Sequence, residues 1–213
     1  MTFVLKEPRV GYALEQRRMT ADEFLAWDAG QPLKREFVRG EVFLMAGGED
    51  NNFTVAGNLY MALRRHLSGT PCRVFGSDVK LRVEAADCFF YPDLMVTCSP
   101  ADGASRLIKR EPTLVVEVLS PGTAAFDRGD KFAAYRQLPS LTEYLLVDVR
   151  SRRCDLFRQQ ADGLWALHPS LPGEAVMLRS VELSVSAAEL WADVDSVAPQ
   201  SVDAAALDPG APT

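Results

Sequence analysis

A short apolar run with a carboxylate at its centre constrains the fold more than any other segment. Residues 114–119 read Leu-Val-Val-Glu-Val-Leu, so aliphatic side chains occupy every position except Glu117. Such a run is typical of a strand that is buried on both faces of a sheet. Alternation along the strand places Glu117 on the same face as Val115 and Leu119. A carboxylate in that position costs several kcal/mol unless a partner or a metal ion satisfies it.

A second acidic residue lies upstream in a similar setting. Asp93 follows Pro92 inside the apolar stretch 89–97, which we predict to be the preceding strand. The polar segment 98–112 is long enough to let the two strands lie side by side. Two close carboxylates repel each other and do not both stay ionised at neutral pH without a cation. A hard divalent ion with oxygen ligands, Mg²⁺ or Mn²⁺, would satisfy both.

The same residues admit an interpretation without a metal ion. In it, Asp93 caps a turn and Glu117 pairs with a nearby arginine or lysine, and the pattern of these two residues does not decide between the alternatives. The four cysteines are scattered and the chain has two histidines, so a zinc cluster is not expected. The cysteines are expected to be reduced thiols that pack as small apolar groups.

The remaining pattern predicts one α/β domain, of the α+β type, over residues 19–193. Within it we expect an N-terminal hairpin and a C-terminal strand meander. The predicted elements are a helix opened by a Thr20–Glu23 capping box, a hairpin at 35–45, a helix with the stripe Val55, Leu59, Leu63 and Leu67, strands at 72–75, 79–83, 89–97 and 114–119, a helix at 126–138, a meander over 143–168 and a helix after Ser186. Residues 1–18 are predicted to be an arm and residues 194–213 a disordered tail.

Composition narrows the class of protein. No apolar run approaches the about 18–20 residues that a membrane span needs. The N-terminus lacks the basic start and apolar stretch of a secretory signal, so we expect a cytoplasmic protein. The formal charge of −6 disfavours binding of nucleic acid through the overall field of the molecule, although a local basic groove is compatible with it.

Six segments, in order along the chain, resemble one bacterial family. They are Arg35 to Val42, Gly57 to Leu67, Tyr91 to Asp93, Leu114 to Pro121, Asp127 to Lys131 and Glu143 to Asp148. Over roughly residues 20–191, this pattern resembles the Uma-type restriction endonucleases, which are common in cyanobacteria. Asp93 after a proline and Glu117 also resemble the PD-(D/E)XK nuclease core, although Leu119 stands where that core has its lysine.

The resemblance implies a restriction-endonuclease-like fold with a mixed central β-sheet flanked by helices. It also implies an Mg²⁺- or Mn²⁺-dependent endonuclease that hydrolyses DNA, and a homodimer. It implies that Asp93, Glu117 and the backbone carbonyl of Val118 bind the metal ion. Glu36 corresponds to the acidic residue of the first hairpin, where it would take a proton or hold a second ion. Lys131 corresponds to a lysine on the following helix that replaces the one missing at position 119.

The assignment of the cationic group leaves alternatives. Asp127 is predicted to cap the helix at 126–138, on which Lys131 and Tyr135 share a face. Lys131 would otherwise form an ordinary surface ion pair with Asp127, four residues earlier. Lys80 is a second candidate for the cationic role, because alternation along its strand points it toward the same cleft.

Two departures from the family pattern favour a different function. Leu119 replaces the lysine of the nuclease core, and Asn51 and Asn52 stand where family members often have a histidine. Asparagine cannot carry a proton at neutral pH. With the net negative charge, these departures favour a non-catalytic DNA-associated or protein-interaction protein with the same fold. A metal-dependent hydrolase of another phosphoester is a third interpretation.

Overall fold

The described part of the chain begins just before the first helix and ends just after the last. The structure, a computed structural model, describes residues 18–45 and 49–195. The predicted arm, apart from Arg18, and residues 196–213 of the predicted tail lie outside the described residues. Val194 and Asp195 belong to the fold instead, since Val194 is buried and the Asp195 amide donates to Asn51 Oδ1 over 3.2 Å.

The helices and strands alternate along the chain much as the pattern predicts. The strands are β1 (Arg35–Val38), β2 (Glu41–Leu44), β3 (Arg73–Gly76), β4 (Lys80–Val83), β5 (Cys88–Phe90), β6 (Leu94–Thr97), β7 (Ile108–Lys109), β8 (Pro112–Leu119), β9 (Glu143–Asp148), β10 (Arg153–Gln159), β11 (Trp165–Ser170), β12 (Val176–Leu178) and β13 (Leu183–Val185). The helices are α1 (Ala21–Asp28), α2 (Asp50–His66), α3 (Pro100–Ala104), α4 and α5 (Ala187–Leu190), with 3₁₀ turns at Glu84–Ala86 and Arg179–Val181. Helix α4 consists of an α-helical turn (Ala124–Phe126), a π-helical turn (Asp127–Lys131) and a second α-helical turn (Phe132–Tyr135).

Two sheets carry most of these strands. A six-stranded sheet has the order β11-β10-β9-β8-β6-β3, and a five-stranded sheet has the order β2-β1-β5-β4-β7. Strands β12 and β13 form a separate hairpin, which the sequence pattern does not predict. The six-stranded sheet is mixed, because β8 pairs with β9 in parallel while its other pairs are antiparallel. The predicted α+β class, with a mixed sheet flanked by helices, is confirmed.

Strand β8 is buried on both faces, as its composition predicts. Val116 and Val118 pack in the apolar core beneath α2. Val115 and Leu119 pack on the opposite side, in a core that includes Tyr135 of α4. Glu117 therefore points toward α4, in the direction that the alternation predicts.

Helix α2 covers one face of the six-stranded sheet. The stripe Val55, Leu59, Leu63 and Leu67 is buried against it, which confirms the predicted periodicity. Within residues 18–45 and 49–195, no helix combines the length and the apolarity that a bilayer crossing requires.

The stretch 89–97 is not one strand, which corrects the prediction. It is interrupted at Tyr91 and Pro92, so that β5 belongs to the five-stranded sheet and β6 to the six-stranded sheet. Proline has no N–H to donate to a ladder of hydrogen bonds, so the chain leaves one sheet there and enters the other. This crossover places Asp93 where the two sheets adjoin.

The prediction that all cysteines are reduced thiols is also wrong for one pair. Cys72 and Cys98 form a disulfide. Arg73 pairs with Thr97 in the antiparallel β3–β6 ladder, so the residues just outside this pair lie opposite each other. Cys88 and Cys154 are free and buried, as expected.

Candidate active site

Four carboxyl groups and one ammonium group meet where the two sheets adjoin. They are Glu36 of β1, Asp93 of the crossover, Glu117 of β8, and Asp127 and Lys131 of α4. All five line one cleft of about 910 Å³. The first hairpin, the proline crossover, the central strand and the π-helical turn thus each contribute to one constellation.

The Lys131 ammonium lies at the centre of this group. Its Nζ is 3.1 Å from Glu36 Oε1, 3.3 Å from Glu117 Oε1 and 3.3 Å from Asp127 Oδ1. Burial by itself would lower the pKa of Lys131, but the three carboxylates raise this pKa well above its ordinary value. Lys131 is therefore a fixed positive charge in the floor of the cleft.

Asp93 and Glu117 hold each other in place through the backbone. The Asp93 amide donates to Glu117 Oε2 over 3.3 Å, and the Val118 amide donates to Asp93 Oδ2 over 2.7 Å. This reciprocal pair of hydrogen bonds turns both carboxylates toward the same space. Both line the cleft, and Asp93 is the less buried of the two.

Burial dominates the electrostatics of Glu117. Desolvation raises the pKa of this carboxyl well above its ordinary value, the Lys131 charge opposes that effect, and Asp127 and Asp93 reinforce it. The Tyr135 hydroxyl donates to Glu117 Oε1 over 2.9 Å, so the same oxygen is held by two donors on α4. Burial and the neighbouring Glu117 raise the pKa of Tyr135 well above its ordinary value, so Tyr135 remains a donor.

The donor set fits a hard divalent cation. One ammonium cannot balance four carboxyl groups, and Asp127 Oδ1 is buried without accepting a hydrogen bond even though Lys131 Nζ is near. Within residues 18–45 and 49–195, no group of three or more His, Cys, Asp or Glu side chains is placed so that it could hold a metal ion. Mg²⁺ is usually held by one or two carboxylates together with water and phosphate oxygens, and an open site with oxygen ligands meets that requirement.

Comparison with known proteins identifies the family. The Uma2 family, described as "Putative restriction endonuclease", matches residues 21–190. The chain belongs to the Uma2 family. Two proteins of Synechocystis sp. are similar to this Uma2 chain, and both are described as uncharacterized: slr1290 is 36% identical over 78% of this chain and 88% of its own length, and sll1609 is 33% identical over 70% and 85%.

A solved structure shares the fold. It is a crystal structure described as "a putative nuclease belonging to DUF820" from Anabaena variabilis, with a TM-score of 0.66 and 16% sequence identity. The match covers 81% of this chain and 97% of the other. At that identity the likeness establishes the fold alone. Family and fold together place this Uma2 chain among the nuclease-like proteins.

The structure brings together all the side chains that the sequence predicts for the site. Glu36, Asp93, Glu117 and Lys131 share the cleft, and Val118 follows Glu117 along its wall. Their roles as ligands and catalysts stay predictions. Lys80, the other candidate for the cationic role, pairs instead with Asp28 over 2.8 Å.

Asp127 does not cap its helix, which corrects the prediction for this residue. Helix α4 begins three residues earlier, and Asp127 lies buried inside it at the start of the π-helical turn. Its expected i,i+4 pair with Lys131 is present but buried, and Lys131 shares it with two further carboxylates. The spacing of Asp127, Lys131 and Tyr135 at four-residue intervals is the signal that identifies all three as site residues.

An asparagine in the first turn of α2 also reaches the site. Asn52 Nδ2 donates to the Leu119 carbonyl over 3.1 Å and, more weakly, to the Val118 carbonyl over 3.4 Å. It thus fixes the end of β8, next to Glu117. Nothing in the sequence pattern predicts this contact, because it joins segments far apart in the chain.

Proposed function

We propose that this protein is a divalent-metal-dependent endonuclease that hydrolyses phosphodiester bonds in DNA. One observation carries the proposal: the carboxyl groups of Glu36, Glu117 and Asp127 surround Lys131 Nζ in the floor of an open cleft that Asp93 also lines. A buried group of like charges costs free energy that only a compensating function explains. Membership of the Uma2 family supports DNA as the substrate.

Asp93, Glu117 and the Val118 carbonyl would hold Mg²⁺ or Mn²⁺. When bound, the ion polarises a phosphate oxygen and lowers the pKa of a water molecule. Glu117 Oε1 is already held by Lys131 and Tyr135, and Asp93 Oδ2 by the Val118 amide, so each carboxylate is oriented before any ligand arrives. This preorganisation is what a catalytic carboxylate requires.

Lys131 supplies the charge that stabilises the reacting phosphate. Its Nζ has three protons to donate and lies beside Glu117 and Glu36 in the floor of the cleft. An ammonium held by carboxylates can redirect one donor to a phosphate oxygen as negative charge develops there. Glu36 Oε1 accepts from the Tyr91 amide over 3.2 Å, so it is fixed beside Lys131 to hold a proton or a second ion.

Cleavage of DNA by matched variants tests the proposal. Supercoiled plasmid and labelled linear DNA are incubated with the protein in Mg²⁺, Mn²⁺ or EDTA. We expect nicking or cutting with either metal ion, none in EDTA, and a loss of at least about 100-fold in Asp93→Asn. Asp162→Asn is the control, because Asp162 is an exposed turn residue outside the cleft whose substitution keeps its side-chain acceptor for the Leu164 amide.

An inert protein would contradict the proposal. If no metal ion supports cleavage and calorimetry detects no Mn²⁺ binding that depends on Asp93, the site is not a metal centre. Tight DNA binding without metal or cleavage would then favour the non-catalytic interpretation. The homodimer and the cytoplasmic location stay predictions, and a solution mass near that of one chain would contradict the first.

A further inference from the structure

One wall of the cleft is an exposed aromatic ledge, formed by Phe53, Gly57 and Tyr60 of α2. All three residues line the same cleft as Asp93 and Glu117. The Phe53 side chain is 81% exposed and Tyr60 is 38% exposed, so neither ring is committed to the core. The mechanism described above uses none of these three residues.

Gly57 leaves a gap between the two aromatic residues of the ledge, and we call this gap the slot. At about 100° per residue, positions 53, 57 and 60 lie within an arc of about 60° on one side of the helix. A Cβ built on Gly57 would meet no atom within 4 Å, so the space between the two aromatic residues is open. The helix rises about 10 Å from Phe53 to Tyr60. That rise exceeds two stacking distances of about 3.4 Å, so the spacing of the two residues along the helix accommodates one planar ring.

The charges of the cleft disfavour binding through the sugar-phosphate backbone. Among the described residues that line it, the cations are Lys34 and Lys131. Lys34 pairs with Asp78, and Lys131 pairs with the carboxylates of the floor. Duplex DNA is held mainly by lysines and arginines that neutralise phosphates, and this cleft offers no unpaired one. Apart from the proposed metal ion and Lys131, the available source of affinity is an uncharged flat surface.

We propose that the aromatic ledge binds an unpaired nucleobase, so that the substrate of this enzyme is single-stranded or locally unpaired DNA. The inference rests on the proposed nuclease function, because the ledge and the carboxylates share one cleft. A base stacked on Phe53 or between Phe53 and Tyr60 leaves its phosphate free to reach the floor. Aromatic platforms bind single strands in this way without reading their sequence. A paired base inside a duplex shows only its edges and cannot enter the slot.

Cleavage and binding of matched oligonucleotides test this inference. The full chain is given a labelled single strand or the corresponding duplex, with Mg²⁺ for cleavage and Ca²⁺ for binding by fluorescence anisotropy. We expect the single strand to be cleaved and bound at least about tenfold better than the duplex. Phe53→Ala should lower kcat/KM and affinity for the single strand by about tenfold, within the range of one lost stacking contact.

Two further variants separate binding from folding. Gly57→Leu fills the slot in a helix where glycine is unfavourable, so Tm should not fall while single-strand affinity falls about tenfold. Met61→Ala is the control, since Met61 is 61% exposed on the same helix but does not line the cleft. It should change neither cleavage nor binding.

The possible outcomes distinguish this inference from the proposed function. Cleavage that is equal for both substrates and unchanged by Phe53→Ala would overturn the ledge and leave the nuclease intact. Single-strand binding that depends on Phe53, without cleavage under any condition, would overturn the nuclease and keep the ledge. If Phe53→Ala instead halves the solution mass of the protein, the ledge is an interface between two copies, and the inference is wrong.

Discussion

The Lys131 ammonium lies 3.3 Å from Glu117 Oε1, although the two residues come from a helix and a strand rather than from one motif. The PD-(D/E)XK core has its lysine two positions after this acid, where the chain has Leu119. Because α4 delivers the ammonium from the side, Leu119 is free to pack in the core with Tyr135. Lys131 thus lies beside the acid although it comes from a later segment of the chain.

Replacing Lys131 with methionine should destabilise the protein in a pH-dependent way. The variant leaves the buried carboxyl groups without their counter-charge, which typically costs about 3–5 kcal/mol. The folded-state pKa of Glu117 would rise further above its unfolded value, so stability is retained at low pH and lost as the pH rises above about 4.5. Urea denaturation at pH 5 and pH 8 measures the difference. Lys80→Met, which breaks a pair outside the cleft, should show a smaller pH dependence.

Metal ions should stabilise the folded protein. A ligand that binds only the native state at a concentration of about 100 times its Kd adds about 2.7 kcal/mol to the free energy of unfolding. We expect Tm to rise with Mn²⁺ and Mg²⁺, and this rise to disappear in Glu117→Gln. Glu189→Gln is the control, because Glu189 pairs with Arg65 on the surface of the protein. A rise in Tm that survives in Glu117→Gln would show that the ions bind elsewhere.

Two buried tyrosines offer a matched comparison. The Tyr135 hydroxyl donates to Glu117 Oε1 over 2.9 Å, and the Tyr144 hydroxyl donates to the Asp127 carbonyl over 3.0 Å. Each Tyr→Phe variant removes one buried hydrogen bond and should cost about 1–2 kcal/mol of stability. Tyr135→Phe should also lower Mn²⁺ affinity, measured by calorimetry, by about tenfold, because Glu117 is less well held. Equal effects of the two variants on affinity would contradict an orienting role for Tyr135.

The two free thiols should be unreactive in the native protein. Burial raises the pKa of Cys88 to about 11 and that of Cys154 to about 12. We expect no reaction with Ellman's reagent at pH 8 until the chain is unfolded. Because the folded-state pKa values exceed the unfolded value, these thiols also favour folding below about pH 9. That contribution decreases as the pH rises from about 9 through the folded-state values of about 11 for Cys88 and about 12 for Cys154. A thiol that reacts with Ellman's reagent at pH 8 in the native protein would contradict this account.

The disulfide offers a further measurement. The disulfide closes a loop between two cysteines with a sequence separation of 26, which restricts the unfolded chain and should stabilise the fold by about 3–4 kcal/mol. Intact-mass analysis under non-reducing conditions detects the bond as a mass lower by two hydrogen atoms. Cys72→Ser should lower Tm only in oxidised samples. If the purified chain carries four reactive thiols after unfolding, the bond is absent in solution.

Local patterns were sufficient to predict much of this fold. The capping box at Thr20 and Glu23 is present with both of its hydrogen bonds, and alternation in β8 correctly gave the face on which Glu117 lies. These features depend on residues within a few positions of each other, so the sequence records them directly. Asp93 and Glu117 stand out because charged groups in apolar segments are rare, whereas the choice of Lys131 follows from the resemblance to the family.

Features that depend on distant contacts escaped prediction. The division of the strands between two sheets follows from the break at Pro92, which is visible in the sequence, but which sheet each half joins depends on its partners. The contact of Asn52 with the end of β8 joins segments 67 residues apart. The disulfide likewise depends on the register between β3 and β6, and isolated cysteines carry no sign of it.

The π-helical turn in α4 departs from regular α-helical geometry, and this departure is what brings the site residues together. A regular helix turns about 100° per residue, so Asp127 and Tyr135, eight positions apart, would diverge by about 80° around its axis. The π-helical turn contains a surplus residue and winds less per residue, which lets Asp127 and Tyr135 flank Lys131 on one side. A design that replaced this turn with regular α-helix would therefore separate these side chains around the helix axis. In this helix, irregularity is the condition under which the constellation exists.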